Sequence, residues 1–166
     1  MPDLLFLRHA KSDWDADYER DFDRPLNARG ERAADAMGRF LDTQAPMDRV
    51  LASPARRVAE TLDRIGRRCA SLPQPEWVES LYGATQGVVL DLVRALGDAE
   101  RVMVAGHNPI THMVAAALAG ADDSTDWQEL QRRYPTGALA EIRFSSWDGV
   151  AGGTGRLIRF VKPRDL

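Results

Sequence analysis

Four consecutive apolar residues, Leu4-Leu5-Phe6-Leu7, run straight into Arg8 and His9 near the start of the chain. A strand with no polar position has no face to give to water. The run therefore predicts a strand covered on both sides, as in a parallel sheet between two layers of helices. His9 then falls where the strand ends. In open α/β sheets the carboxyl ends of the strands form the rim where ligands bind, so an imidazole and a guanidinium would stand side by side at that rim. An isolated Arg-His pair also suits a strand end that simply meets solvent, and only its neighbours in space decide between the two.

The pattern recurs. Arg49-Val50-Leu51-Ala52 and Arg101-Val102-Met103-Val104-Ala105 are two further apolar runs, and each of the three is followed by a helical pattern. After a polar loop over 11–24, Ala33, Ala34, Met37, Phe40 and Leu41 recur at helical spacing, which predicts a helix over 28–43 capped by Asn27. A second helix runs to about Cys69 with Pro54 in its first turn, and a third covers 110–118 with Asn108 as cap and Pro109 as first helical residue. Residues 72–86 carry Pro73, Pro75 and Gly83 and read as loop with a short extended piece over 76–80. A helix over 88–96, a short one within 122–134 and a closing hairpin, 138–144 with 156–161, complete the order. The expected architecture is α/β: a three-layer sandwich with a mostly parallel central sheet flanked by helices, forming one domain over 1–166 with no large cap domain.

Length and charge bound the function. A chain of 166 residues can bury a core without disulfides, and its formal charge of −3 gives no broad electrostatic case for nucleic acid. Cys69 is the only cysteine, so neither a disulfide framework nor a thiolate cluster is available, and it reads as a packing residue. No signal pattern or long apolar span is present, which points to a cytoplasmic protein without membrane association.

Parallel strands present their carboxyl ends to one rim, so Arg8-His9, Ser53 with the helix after it, and Gly106-His107 should converge there. Arg57 lies one helical turn beyond Ser53 and Thr61 one turn further on the same face. Two arginines, two histidines and helix amino ends suit a tetrahedral dianion, because guanidinium forks bind phosphoryl oxygens in pairs. Ser12, Lys11 and Asn108, close in sequence to the two histidines, are candidate substrate contacts. His112 reads as structural, as does Trp127, while Trp14 and Tyr18 suit either rim or packing.

These motifs carry a resemblance. Leu7-Arg8-His9-Ala10 resembles the Arg-His-Gly motif of the histidine phosphatase superfamily, with alanine in third place. Ser53-Pro54-Ala55-Arg56-Arg57-Val58-Ala59-Glu60-Thr61 is similar to its Ser-x-x-x-Arg-x-x-x-Thr motif, and Gly106-His107 to its second-histidine motif; the register of the first implies Arg57 in the pocket and Arg56, about 100° round the helix, toward solvent. Arg24-Pro25-Leu26-Asn27-Ala28-Arg29-Gly30 is like its entry to the first helix. The short length and Arg8-His9-Ala10-Lys11-Ser12-Asp13-Trp14 resemble the SixA-type branch. The resemblance implies a phosphoglycerate mutase-like fold, His9 as nucleophile, and Arg8, Arg57 and His107 as ligands of the phosphoryl oxygens. It implies no metal and no cofactor. Glu79 sits where larger members place a carboxylic acid that protonates the leaving oxygen, a role that phosphate esters require and phosphohistidine does not. The substrate implied is phosphohistidine on a signalling or phosphotransfer protein. The alternatives are a small phosphorylated metabolite with Glu79 as acid, and a phosphate-binding module without turnover.

Overall fold

The computed structural model describes all 166 residues. Six strands form one sheet: β1 (Asp3–Arg8), β2 (Arg49–Ala52), β3 (Glu76–Trp77), β4 (Arg101–Gly106), β5 (Leu139–Arg143) and β6 (Arg156–Val161), in the spatial order β3-β2-β4-β1-β5-β6. β3, β2, β4 and β1 run parallel, and β5 and β6 pair antiparallel at one side. Five helices cover the sheet: α1 (Ala28–Asp42), α2 (Arg56–Gly66), α3 (Gln86–Arg94), α4 (Ile110–Leu118) and α5 (Thr125–Arg132). No helix is long and apolar enough to cross a membrane.

The unbroken apolar runs have the expected cause. Successive strand residues point to opposite faces. Leu4 and Phe6 of β1 join Val102 and Val104 of β4 in one core, against Val89 and Val93 of α3 and Val114 and Leu118 of α4. Leu5 and Leu7 join Val50 and Met103 in a second core, against Met37 and Leu41 of α1 and Val58, Leu62 and Ile65 of α2. Both faces are thus dry, which is why none of these strand positions is polar. The result is the expected three-layer α/β sandwich around a mostly parallel sheet.

Several boundaries move. α2 begins at Arg56 because Ser53 Oγ accepts from the Ala55 N–H at 3.3 Å and holds the chain in a turn, so Pro54 precedes the helix instead of opening it. α2 stops at Gly66, and Cys69 is packed in the core just beyond it. Pro109 occupies the cap of α4, while Asn108 Oδ1 accepts from the His112 N–H at 3.3 Å. Only Glu76–Trp77 of the extended piece pairs with β2, since the chain tightens into a 3₁₀ turn at Glu79–Leu81. α3 starts two residues earlier than expected, capped by Thr85 Oγ1 accepting from Val88 N–H. The polar loop contains a 3₁₀ turn at Asp21–Asp23, and Ser12 pairs with Leu26 across it.

Two glycines bring backbone close to the rim. A Cβ on Gly30 would lie 2.1 Å from the Lys11 carbonyl oxygen, so only glycine lets α1 touch the turn that follows His9. Gly137, at φ +76°, donates its N–H to the Arg8 and His9 carbonyls at 3.1 and 2.9 Å.

Candidate active site

The rim is levelled by backbone hydrogen bonds. The His9 N–H donates to the Gly106 carbonyl at 3.1 Å and the Ser53 N–H to the Ala105 carbonyl at 3.0 Å, so the ends of β1, β2 and β4 lie side by side. A cavity of about 230 Å³ opens there, walled by Arg8, His9, Arg24, Arg57 and His107, with Lys11, Ser12 and Asn108 also facing it. Thr61 ties the two sides together: its hydroxyl accepts from the Ala10 N–H at 3.0 Å and donates to the Arg57 carbonyl at 2.6 Å.

His9 is buried, with its Nδ1 2.7 Å from the Ala10 carbonyl. A carbonyl only accepts, so Nδ1 carries the proton and the lone pair belongs to Nε2, which has no hydrogen-bond partner in the protein. Burial pushes the His9 pKa down to about 3; the neighbouring His107, Arg57 and Arg8 act in the same direction, and the Ala10 bond only partly offsets them. His107 lies 5.4 Å from His9 between ring centroids, with Nε2 2.7 Å from Ser53 Oγ. Burial, then Arg57, push its pKa down to about 4 against the pull of Asp21. Both imidazoles are therefore neutral at pH 7, and the positive charge of the cavity is that of its arginines, with Lys11 at the mouth.

Those arginines are held in place by oxygens on one side. Arg8 Nη1 donates to the Tyr134 carbonyl at 2.8 Å, and its Nε is buried without a partner. Arg57 Nη1 donates to the Asp21 carbonyl at 2.8 Å and Nη2 to Asp21 Oδ2 at 3.0 Å. Arg24, itself buried, donates from Nε to Ser12 Oγ at 2.9 Å, pairs with Asp21 Oδ1, and lies 3.6 Å under the Trp14 ring. Tyr82 donates its hydroxyl to Asp21 Oδ2 at 2.9 Å and sets its ring edge-on to His107. Burial alone would raise the Asp21 pKa, but Tyr82, Arg57 and Arg24 together hold it below the usual carboxylate range. Asp21 is thus an internal anion on two of the three cavity guanidiniums.

The four principal predicted residues, Arg8, His9, Arg57 and His107, meet as expected. Arg56 points away and pairs with Glu60 at 3.4 Å. Ser12 faces the cavity with its hydroxyl already engaged by Arg24, and Lys11 is exposed at the mouth. Asn108 donates from Nδ2 to the Tyr134 carbonyl at 3.1 Å, so it braces the same carbonyl as Arg8. His112 donates to the Leu130 carbonyl at 2.7 Å and is structural. Glu79 is exposed at the start of its 3₁₀ turn and is not among the cavity-lining residues. Trp14 stands at the rim, and Trp127 packs against the core. Asp21, Arg24 and Tyr82 were not singled out from the sequence. Arg24 lies in the quoted motif before Pro25, and its burial is what distinguishes it from the other loop charges. Asp21 is one acid among several in a polar loop, and nothing in the sequence marks it.

A neutral, buried His9 has a consequence for stability. Its pKa rises to about 6.5 on unfolding, so below that pH the unfolded chain binds a proton that the folded one refuses, and stability falls as pH falls. Between pH 7 and 5, urea unfolding should show His9→Gln losing about 2 kcal/mol less stability than wild type. Equal losses would mean that His9 is not held neutral. For Asp21, isothermal titration should show inorganic phosphate binding several-fold more tightly to Asp21→Asn than to wild type, since the competing charge is gone. Unchanged or weaker binding would place Asp21 outside the anion's path.

Comparison with known proteins agrees with this geometry. Residues 4–95 match the model of the histidine phosphatase superfamily (branch 1). An uncharacterized protein of Mycobacterium tuberculosis is 34% identical over 163 residues, covering 95% of this chain and 100% of the relative. Among solved structures, the candidate phosphohistidine phosphatase SixA of Nakamurella multipartitia superposes with a TM-score of 0.83 at 30% identity, covering 98% of this chain and 96% of the other. The corresponding SixA candidate of Agrobacterium tumefaciens gives 0.81 at 29% identity, covering 98% and 99%. With its rim histidines, its arginines and its cap-free sandwich, the chain belongs to the histidine phosphatase superfamily, branch 1, and is a phosphatase of the SixA type.

Proposed function

We propose that the protein removes the phosphoryl group from phosphohistidine on a signalling or phosphotransfer protein, through a phosphohistidine intermediate on His9. The observation that carries this reading is the pairing of a free His9 Nε2 with three guanidiniums in a cavity that contains no protonated carboxylic acid. Nε2 attacks the phosphorus along its lone pair while the P–N bond to the substrate imidazole breaks. The substrate imidazole, protonated on its other nitrogen before it leaves, departs neutral and so needs no acid fixed in the site. Water then attacks the phosphoenzyme, releasing inorganic phosphate and restoring His9.

The cavity's contribution is positioning and charge. The transferring phosphoryl group is loose, with negative charge spread over three oxygens, and fixed guanidiniums stabilise it without reorganising. Arg8 and Arg57 each have one outer nitrogen, Nη1, tied to a backbone carbonyl, so their planes are set before the substrate arrives. Neutral His107 supplies a ring beside the phosphoryl site, fixed by Ser53. On binding, the dianion takes Asp21's place at Arg57.

A second reading is a phosphomonoesterase for a small metabolite. An apolar cavity of about 260 Å³, lined by Leu81, Val89, Val104, Pro109 and Ile110, shares His107 and Asn108 with the catalytic one and would suit an apolar alcohol. That reaction needs an acid, and the exposed Glu79 is the proposed one. Steady-state turnover of a phosphohistidine peptide and of benzyl phosphate, the ester of an apolar alcohol, separates the two. The primary reading predicts kcat/KM at least about 100-fold higher on phosphohistidine, with Glu79→Gln leaving it within about twofold of wild type. Comparable turnover of the ester, lost in Glu79→Gln, would replace the primary reading with the second.

A further inference from the structure

Beside the catalytic cavity lies a second, shallower groove of about 390 Å³ that shares Lys11 and Thr136 with it. Its other charged residues are Arg29 and Arg32 on α1, Arg133 just after α5, and Lys162 and Arg164 near the chain end. Lys162 pairs with Glu129 and with Asp165, and Arg164 lies 3.8 Å from Asp165, so that wall is neutralised. Lys11, Arg29, Arg32 and Arg133 are exposed and form no ion pair. Arg49, Arg56 and Arg67, elsewhere on the surface, are each paired with a carboxylate. Arg39, Arg94, Arg132 and Arg156 are also exposed without an ion pair, but they line neither cavity. Four uncompensated cations thus collect at the mouth of the active site of a chain whose net charge is −3.

We propose that this groove docks an acidic segment of the phosphorylated protein, a run of Asp and Glu beside the phosphohistidine. This inference rests on the functional reading above and names the kind of protein surface that would bring its phosphohistidine to His9. The cations are spread over one helix face and two neighbouring segments and are solvated, which suits several separated carboxylates. A second phosphate would call for converging, buried donors like those around His9. No aromatic side chain lines the groove to stack a base, which favours an acidic peptide over single-stranded nucleic acid. Exposed charges of this kind speed encounter more than they tighten the final complex, and salt screens them.

The test uses two peptides, each with one histidine, flanked by three Asp in one and three Asn in the other. Fluorescence anisotropy on the unphosphorylated pair reads the groove alone. Turnover of the pair after chemical phosphorylation reads groove and catalysis together, so failure of the functional reading is separable from failure of this one. Wild type should bind the Asp peptide about 10-fold more tightly than the Asn peptide in 50 mM salt, with the gap closing by 300 mM. The triple variant Arg29→Gln, Arg32→Gln, Arg133→Gln should lose most of that preference in binding and in kcat/KM, and should treat the Asn peptide as wild type does. Equal binding of both peptides by wild type would overturn the proposal, as would a variant that keeps the preference. Displacement of the Asp peptide by a single-stranded oligonucleotide better than by a poly-Glu peptide of equal charge would also overturn it.

Discussion

The parallel pairing of β1 with β4 is the constraint on which the site depends. Its register sets Arg8 opposite Gly106 and lets the His9 N–H reach the Gly106 carbonyl, which brings His9 and His107, 98 positions apart, to adjacent places on the rim. β2 pairs with the other side of β4 and brings Ser53 level with them. The pairing is secured by burial on both faces: Leu4 to Leu7 are each 0–1% exposed, so a one-residue slip would exchange the contents of two filled cores. The precision of the cavity is therefore a property of the sheet, and the loops only complete it.

The electrostatics of the site divide between two kinds of group. The histidines are desolvated and neutral, which keeps the Nε2 lone pair of His9 free of a proton in the range where an ordinary imidazole would begin to protonate. The arginines Arg8, Arg24 and Arg57 carry the positive charge in the same surroundings. A pocket with three such cations and no anion would be costly, and Asp21 offsets that cost with a carboxylate shared between Arg24 and Arg57. The carboxylate is about half exposed on a surface turn, so it can yield to a phosphoryl dianion without disturbing the core.

Much of this was legible in the chain itself. Unbroken apolar runs specify buried parallel strands, and buried parallel strands specify a shared rim, so Arg8, His9 and His107 follow from pattern, while the family motif's register singles out Arg57 from Arg56 on the helix after Ser53. The groups that were not legible owe their roles to tertiary placement. Arg24 and Asp21 sit in a loop with several similar charges, and only the fold decides that one is buried beneath Trp14 while its neighbours are solvated. Tyr82 reaches Asp21 across 61 positions by way of a turn that sequence periodicity does not describe. The pattern places the start of α2 too early, because a side-chain turn at Ser53 competes with the helix that Pro54 could open.

The central claim is that the free Nε2 of His9 takes the phosphoryl group. It is tested most directly by rapid quench of the protein with a phosphohistidine peptide under non-acidic conditions, followed by peptide mapping of the phosphoenzyme. The account predicts one acid-labile phosphoryl group on His9, absent in His9→Ala and retained in His107→Ala. A phosphoryl group on His107, or turnover by His9→Ala at the wild-type rate, would contradict it.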